Sequence, residues 1–214
     1  MSDIFQEVDE DLRRDRMTQM MKRYGGIFVT AAVILVVATA GYQIWQRWQT
    51  SQRETQTAQL VGALTQTAAG PTQGIQALSS FADKAPADMA VLARLNEAAL
   101  RAGEGKTAEA VAIYDAVATN TAADAVYRDL AALLSVQHQL GSGDPAALQA
   151  RLQPLTQDAS PWRFSAREMT AILAARAGDT ERARTLFRQL ADDSLAPSGV
   201  RSRAADLAAL YGKS

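Results

Sequence analysis

Residues 161–190 read PWRFSAREMTAILAARAGDTERARTLFRQL, and this stretch decides the fold. Pro161 stands at its head, where a helix has no use for the missing N–H. In the middle, Ala177-Gly178-Asp179-Thr180 breaks the run, with Gly178 supplying the positive-φ residue that ends a helix. After the break, Ala183 and Phe187 lie one turn apart on one helix face. The small residue lets a partner backbone approach, and the aromatic ring fills the gap beside it. The stretch therefore reads as two packed helices joined by a tight turn.

The same arrangement recurs upstream. Ala110 with Tyr114 and Ala77 with Phe81 repeat the Ala-x-x-x-aromatic spacing. Phe81 and Tyr114 are 33 residues apart and Tyr114 and Phe187 are 73 apart, which leaves room for one more unit between the last two. Residues 126–155 supply it, with Leu130, Leu133 and Leu134 on a first helix, a Gly141-Ser-Gly-Asp-Pro145 turn, and Leu148, Leu152 and Leu155 on a second. A period near 34 residues is that of TPR-like helix pairs. Ala102-Gly103-Glu104-Gly105 forms a second inter-helix turn, and Pro71, Pro86, Pro145 and Pro197 fall at or near other helix starts. Residues 198–211 predict a closing helix with Val200, Ala204, Leu207 and Leu210 on one face. No long strand-like alternation interrupts the pattern. The expected fold is all-α, a TPR-like helical-repeat solenoid over residues 60–214.

Ahead of the repeats lies a segment of another kind. No charged residue stands between Tyr24 and Gln46, and Gly25 to Tyr42 is apolar almost throughout. Roughly 20 helical residues span the ~30 Å hydrocarbon core of a bilayer. Tyr24 on one side, with Tyr42, Trp45 and Trp48 on the other, suit the two lipid–water interfaces. Residues 24–46 are thus expected to be a transmembrane helix and 47–59 a polar helical stalk. Arg13, Arg14, Arg16, Lys22 and Arg23 precede the run, whereas only Arg47 and Arg53 follow it closely, which places the N-terminus in the cytoplasm. Residues 1–23 carry Ile4, Phe5, Val8 and Leu12 at helical spacing among acids and arginines, an amphipathic leader. The competing reading is a cleaved signal, because Ala38-Thr39-Ala40 has the small-x-small form of a cleavage site. Six acidic residues in the leader and an apolar run longer than a signal's oppose it.

Composition removes much chemistry. The chain of 214 residues holds no cysteine and one histidine, so thiolate catalysis, disulfides and multi-His metal cages are excluded. A net charge of −1 lacks the basic excess that nucleic-acid binding requires. Asp192 with Asp193, and Glu104 with Glu109, stand at turns, where capping and solvation explain them better than acid–base catalysis. Gly103-x-Gly105-Lys106-Thr107 lacks both the strand and the spacing of a phosphate loop. No enzyme activity, cofactor or metal is expected.

A charged leader beginning Met-Ser-Asp-Ile-Phe-Gln-Glu-Val-Asp-Glu, one N-terminal anchor and an exported TPR-like domain with an Ala-Gly-Asp turn together resemble the bacterial ancillary Sec translocon subunits, the YfgM-like proteins. The resemblance covers nearly the whole chain. It implies a protein of the bacterial inner membrane, bound to the SecYEG channel. With a membrane-anchored periplasmic prolyl isomerase or other chaperone, such a protein passes exported polypeptides onward. The alternatives are a scaffold tethering another envelope complex and a cleaved, soluble periplasmic binding protein.

Binding residues are expected on first-helix faces that line a solenoid groove: Leu100, Arg101, Arg128, Glu168, Ile172 and Arg176, with His138 on the concave side near the end of its helix. Each has a plain solvated or packing role as its alternative. The Lys and Asn set with which some TPR domains clamp a C-terminal carboxylate is missing at these positions, so contacts should be mixed apolar and Arg. Trp162 and Phe164 are expected to pack the last pair against its neighbour rather than to serve as a recognition hot spot.

Overall fold

The computed structural model describes residues 3–212, with side chains described at 26, 30 and 33–212. The amphipathic leader and, in the uncharged run, Tyr24 and residues 25, 27–29, 31 and 32 lie outside the described side chains. Among the described residues the secondary structure is entirely helical: α1 Asp3–Thr65, α2 Pro71–Ala82, α3 Ala87–Gly103, α4 Thr107–Thr119, α5 Ala125–Gln139, α6 Pro145–Leu152, α7 Arg163–Arg176, α8 Thr180–Asp192 and α9 Ser198–Leu210. Short 3-10 turns, Gln66–Ala69 and Gln153–Thr156, follow α1 and α6.

The chain divides into two compact units, residues 1–55 and 56–214. In the first, the described apolar side chains of α1 are exposed, Val33 through Val37 between 56% and 68% and Trp48 at 62%. Among the described residues, no helix is long and apolar enough to cross a membrane.

The second unit is built of consecutive helix pairs: the end of α1 and its 3-10 turn with α2, α3 with α4, α5 with α6, and α7 with α8, closed by α9. Local chemistry sets each boundary. Asp124, Asp144 and Asp179 cap α5, α6 and α8, each accepting a hydrogen bond from a backbone N–H of the first turn. Pro71 and Pro145 occupy first helical positions. Gly105 (φ 78°) and Gly178 (φ 86°) end α3 and α7 in the left-handed region. The next residue's N–H then bonds back five residues, Lys106 to Arg101 O and Asp179 to Ala174 O, so both turns close in the same way.

The fourth and eighth residues of every second helix enter the core. They are Gly74 and Leu78 in α2, Ala110 and Tyr114 in α4, Leu148 and Leu152 in α6, and Ala183 and Phe187 in α8, all buried. This register corrects the expectation for α2. Ala77 and Phe81 are only half buried, and the close approach falls at Gly74, where an added Cβ would lie 2.7 Å from Thr67 Cγ2. With glycine as the small residue and leucine as the filler, the first pair keeps the geometry while losing the alanine–aromatic spelling. In α9, Val200, Ala204 and Ala208 are buried and Leu207 is half buried, but Leu210 is 60% exposed, so the expected face is right except at its end.

Candidate functional site

Most of the expected groove residues are engaged within the chain. Arg101 donates to Glu97 Oε1 at 2.8 and 3.0 Å and also pairs with Glu109. The hydrogen bonding of its guanidinium to the Glu97 carboxylate is the main reason that group is held above its ordinary range. Arg128 donates to the carbonyls of Ala123 and Thr121, tying down the α4–α5 loop. Arg176 donates to Gly143 O in the α5–α6 turn, 3.1 Å away. Glu168 accepts two hydrogen bonds from Arg203 of α9, at 2.7 and 2.8 Å, which raise the affinity of that guanidinium for its proton. Leu100 and Ile172 are half buried against the core. The His138 ring stacks on Tyr114 with centroids 5.6 Å apart and planes 9° apart. These side chains hold neighbouring helices together, and none of them is a free polar group awaiting a ligand.

Trp162 packs against the neighbouring pair as expected, whereas Phe164 lies against the core of α7, α8 and α9. Trp162 Nε1 donates to Val126 O at the start of α5, and Arg163 lies over the Phe164 ring at 4.3 Å.

Two polar clusters carry signals that helical periodicity does not register. Glu97, 1% exposed, sits between Arg94 and Arg101 in α3. Ser135, wholly buried in α5, donates to Asp115 Oδ1 of α4 at 2.6 Å, and Arg151 of α6 donates to both. The i, i+3 and i+4 spacing of Arg94, Glu97 and Arg101 was the available sign of the first. The second joins residues 20 and 36 apart and has no local signature.

The open surface of the second unit lies elsewhere. Successive first helices touch, α3 with α5, α5 with α7 and α7 with α9, while successive second helices make no comparable contact. Two clefts each open between the two helices of one pair. One, of about 420 Å³, is lined by Ala90, Val91, Arg94, Ala112, Ile113, Ala116, Val117 and Asn120 of α3 and α4. Another, of about 350 Å³, is lined by Thr156 of the second 3-10 turn and by Arg167, Thr170, Leu186, Gln189, Leu190 and Asp193 of α7 and α8. They are equivalent places: Arg94, Ile113, Val117 and Asn120 precede Arg167, Leu186, Leu190 and Asp193 by 73 residues each. In the first cleft, Arg94 uses both terminal nitrogens, Nη1 donating to Glu97 and Ser79 and Nη2 to Asp83. In the second, Arg167 donates through Nε to Thr156 O and through Nη2 to Asp158, but Nη1 makes no hydrogen bond and stands 3.8 Å from Asp193 Oδ2. Apolar walls with a few convergent polar groups are what a small peptide segment needs. Among the described residues no group of three or more His, Asp or Glu side chains gathers as for a metal ion.

Comparison with known proteins agrees with this architecture. Residues 19–208 match the model of the tetratricopeptide repeat-like domain. No curated protein and no solved structure matches the chain. Since the match spans most of the sequence and the helix pairs repeat as such a domain requires, this chain belongs to the tetratricopeptide repeat-like domain family.

Proposed function

We propose that this chain is a single-pass protein of the bacterial inner membrane, with its N-terminus in the cytoplasm and its TPR-like domain acting in the periplasm as a protein-binding module. In this reading it stands beside the SecYEG channel. With a membrane-anchored periplasmic prolyl isomerase or other chaperone, it passes emerging polypeptides onward by binding and catalyses nothing itself. A TPR-like domain is a module for protein partners, and the rest of the reading depends on the anchor.

The observation that carries it is the exposed apolar surface of α1 in the first unit. Val33 to Val37, Tyr42, Ile44, Trp45 and Trp48 are all more than half exposed. Such a contiguous apolar surface is unfavourable in water and calls for lipid or protein around it. The uncharged sequence from Tyr24 to Gln46 and the aromatic residues at its ends supply the pattern of a lipid-embedded helix, and the five-to-two excess of basic residues on its N-terminal side supplies the orientation. The segment after Gln46 is balanced, with 17 basic and 17 acidic residues, so partner capture there relies on contacts and on tethering more than on long-range attraction.

Purification of the full chain in mild detergent, followed by detection of SecY, tests the association, and SecY is expected to co-purify. Its absence under conditions that keep the channel intact would remove the translocon from the reading.

A further inference from the structure

The two equivalent clefts differ in their polar groups at both ends. In α3, Arg94 is neutralised by Glu97, which it shares with Arg101. Seventy-three residues on, Thr170 replaces Glu97 and Ala174 replaces Arg101, yet the arginine itself is retained as Arg167. Its Nη1 is left without a hydrogen bond. At the other end of the cleft, Asp193 takes the place of Asn120; its Oδ1 accepts from Leu195 N, and its Oδ2 has only the distant Arg167. The second cleft thus presents a charged donor and a charged acceptor 3.8 Å apart, over a wall formed by Leu186 and Leu190.

We propose that this cleft between α7, α8 and the preceding 3-10 turn binds an extended polypeptide segment bearing a leucine-sized apolar side chain. The complementarity is specific. A residue in extended conformation turns its own N–H and C=O to the same side, as in the hydrogen-bonded pairs of an antiparallel sheet. The N–H donates to Asp193 Oδ2 and the C=O accepts from Arg167 Nη1, while the side chain packs on Leu186 and Leu190. Gln189, exposed at the mouth with no hydrogen bond of its own, reaches the next peptide group. Backbone recognition with one apolar anchor is tolerant of sequence, as a protein that meets many unfolded chains requires. The proposal rests on the protein-binding reading above and gives it a client site in the last helix pair.

The test uses the full chain in mild detergent and a fluorescein-labelled peptide, acetyl-Gly-Ser-Leu-Val-Leu-Ser-Gly-Lys, against the same peptide with three alanines in the apolar positions. Anisotropy is expected to show binding of the first and at least about tenfold weaker binding of the second. Thr170→Glu restores the carboxylate found at the equivalent place in α3 and recaptures Arg167, so it is expected to cost about tenfold in affinity while the thermal midpoint stays near that of the parent. Gln189→Trp fills the mouth from an exposed position and should act likewise, carrying the test alone if Thr170→Glu does not fold. Undiminished binding by a folded variant, equal binding of the two peptides, or no binding by the parent chain overturns the proposal. Peptide binding lost while SecY still co-purifies removes the cleft and leaves the translocon reading. The reverse result removes the translocon and leaves the cleft.

Discussion

Ala110 and Ala183, Tyr114 and Phe187, and Gly105 and Gly178 hold the same places in two helix pairs 73 residues apart, and Ala123 and Ala196, both 4% exposed, continue the correspondence into the next turn. Where the core is concerned, α3/α4 and α7/α8 are nearly interchangeable. Above it they diverge, since Glu97 and Arg101 of the first correspond to Thr170 and Ala174 of the second. Both arginines are ion-paired within the chain, but Arg94 donates through both terminal nitrogens, whereas Arg167 donates through Nε and Nη2 and holds Nη1 3.8 Å from Asp193. Repetition fixed the scaffold at both places and left the cleft floor free to acquire separate chemistry, which is how a solenoid of similar units comes to have one unit that binds.

The sharpest break in the comparison is expected at Glu97. It is buried between two arginines, which keep Asp83 and Glu109 when it is lost, so Glu97→Ala removes charge-assisted hydrogen bonds and should cost about 1.5–3 kcal/mol. Thr170 at the equivalent place donates only to Ala166 O, and Thr170→Ala should cost about 0.5–1.5 kcal/mol. Thermal unfolding of the two variants makes the measurement, and equal losses would show that the ion network is not what separates the pairs. The core should behave in the opposite way. Ala110→Leu and Ala183→Leu, both at positions with no exposure, should each destabilise by roughly 1–3 kcal/mol through overpacking. Ala77→Leu, at a half-buried site, should fall well below both. A large loss at Ala77 would restore the Ala77–Phe81 register that the structure replaces with Gly74–Leu78.

The repeats were legible in the sequence because their cause is local. A small residue, a filler one turn later, a glycine at the turn and a proline or aspartate at a helix start all leave marks within a few residues of one another. The α2 register was missed because Gly74-x-x-x-Leu78 satisfies the same steric demand with residues that also serve elsewhere, while Ala77-x-x-x-Phe81 spells the familiar form three residues on. The candidate site was far less legible. Arg101, Arg128, Glu168 and Arg176 looked like groove residues because they are charged and lie on first helices, but their partners, Glu109, Ala123 O, Arg203 and Gly143 O, come from other elements or turns. The distinction between Arg94 and Arg167 depends on which carboxylates fold back onto each, and only the 73-residue alignment of Glu97 with Thr170 hints at it in one dimension.

The turns give a finer comparison. Gly105 and Gly178 both sit in the left-handed region, where an L side chain costs roughly 1–2 kcal/mol per residue, so Gly105→Ala and Gly178→Ala should destabilise alike by about 1 kcal/mol. Thermal melts that separate the two by more than that amount would mean the turns are not equivalent in energy despite their common hydrogen bonding.

The smallest expected effect separates Tyr114 from Phe187. Burial pushes the Tyr114 phenol above its ordinary value near 10, because the phenolate is poorly solvated beside the apolar core of α4 and α5. The unfolded chain gives up this proton more readily than the folded one. The stabilisation linked to it is therefore complete below pH 10 and is lost as pH rises through the higher folded-state value. At the equivalent place, Phe187 has no proton to lose. Tyr114→Phe should thus make the first pair like the second, with little change in the urea midpoint at pH 8 and a smaller fall than the parent between pH 10 and pH 11. Parallel alkaline limbs in parent and variant would show that Tyr114 ionises as easily in the folded chain as in the unfolded one, and that the two aromatic positions, alike in burial, are alike in their surroundings as well.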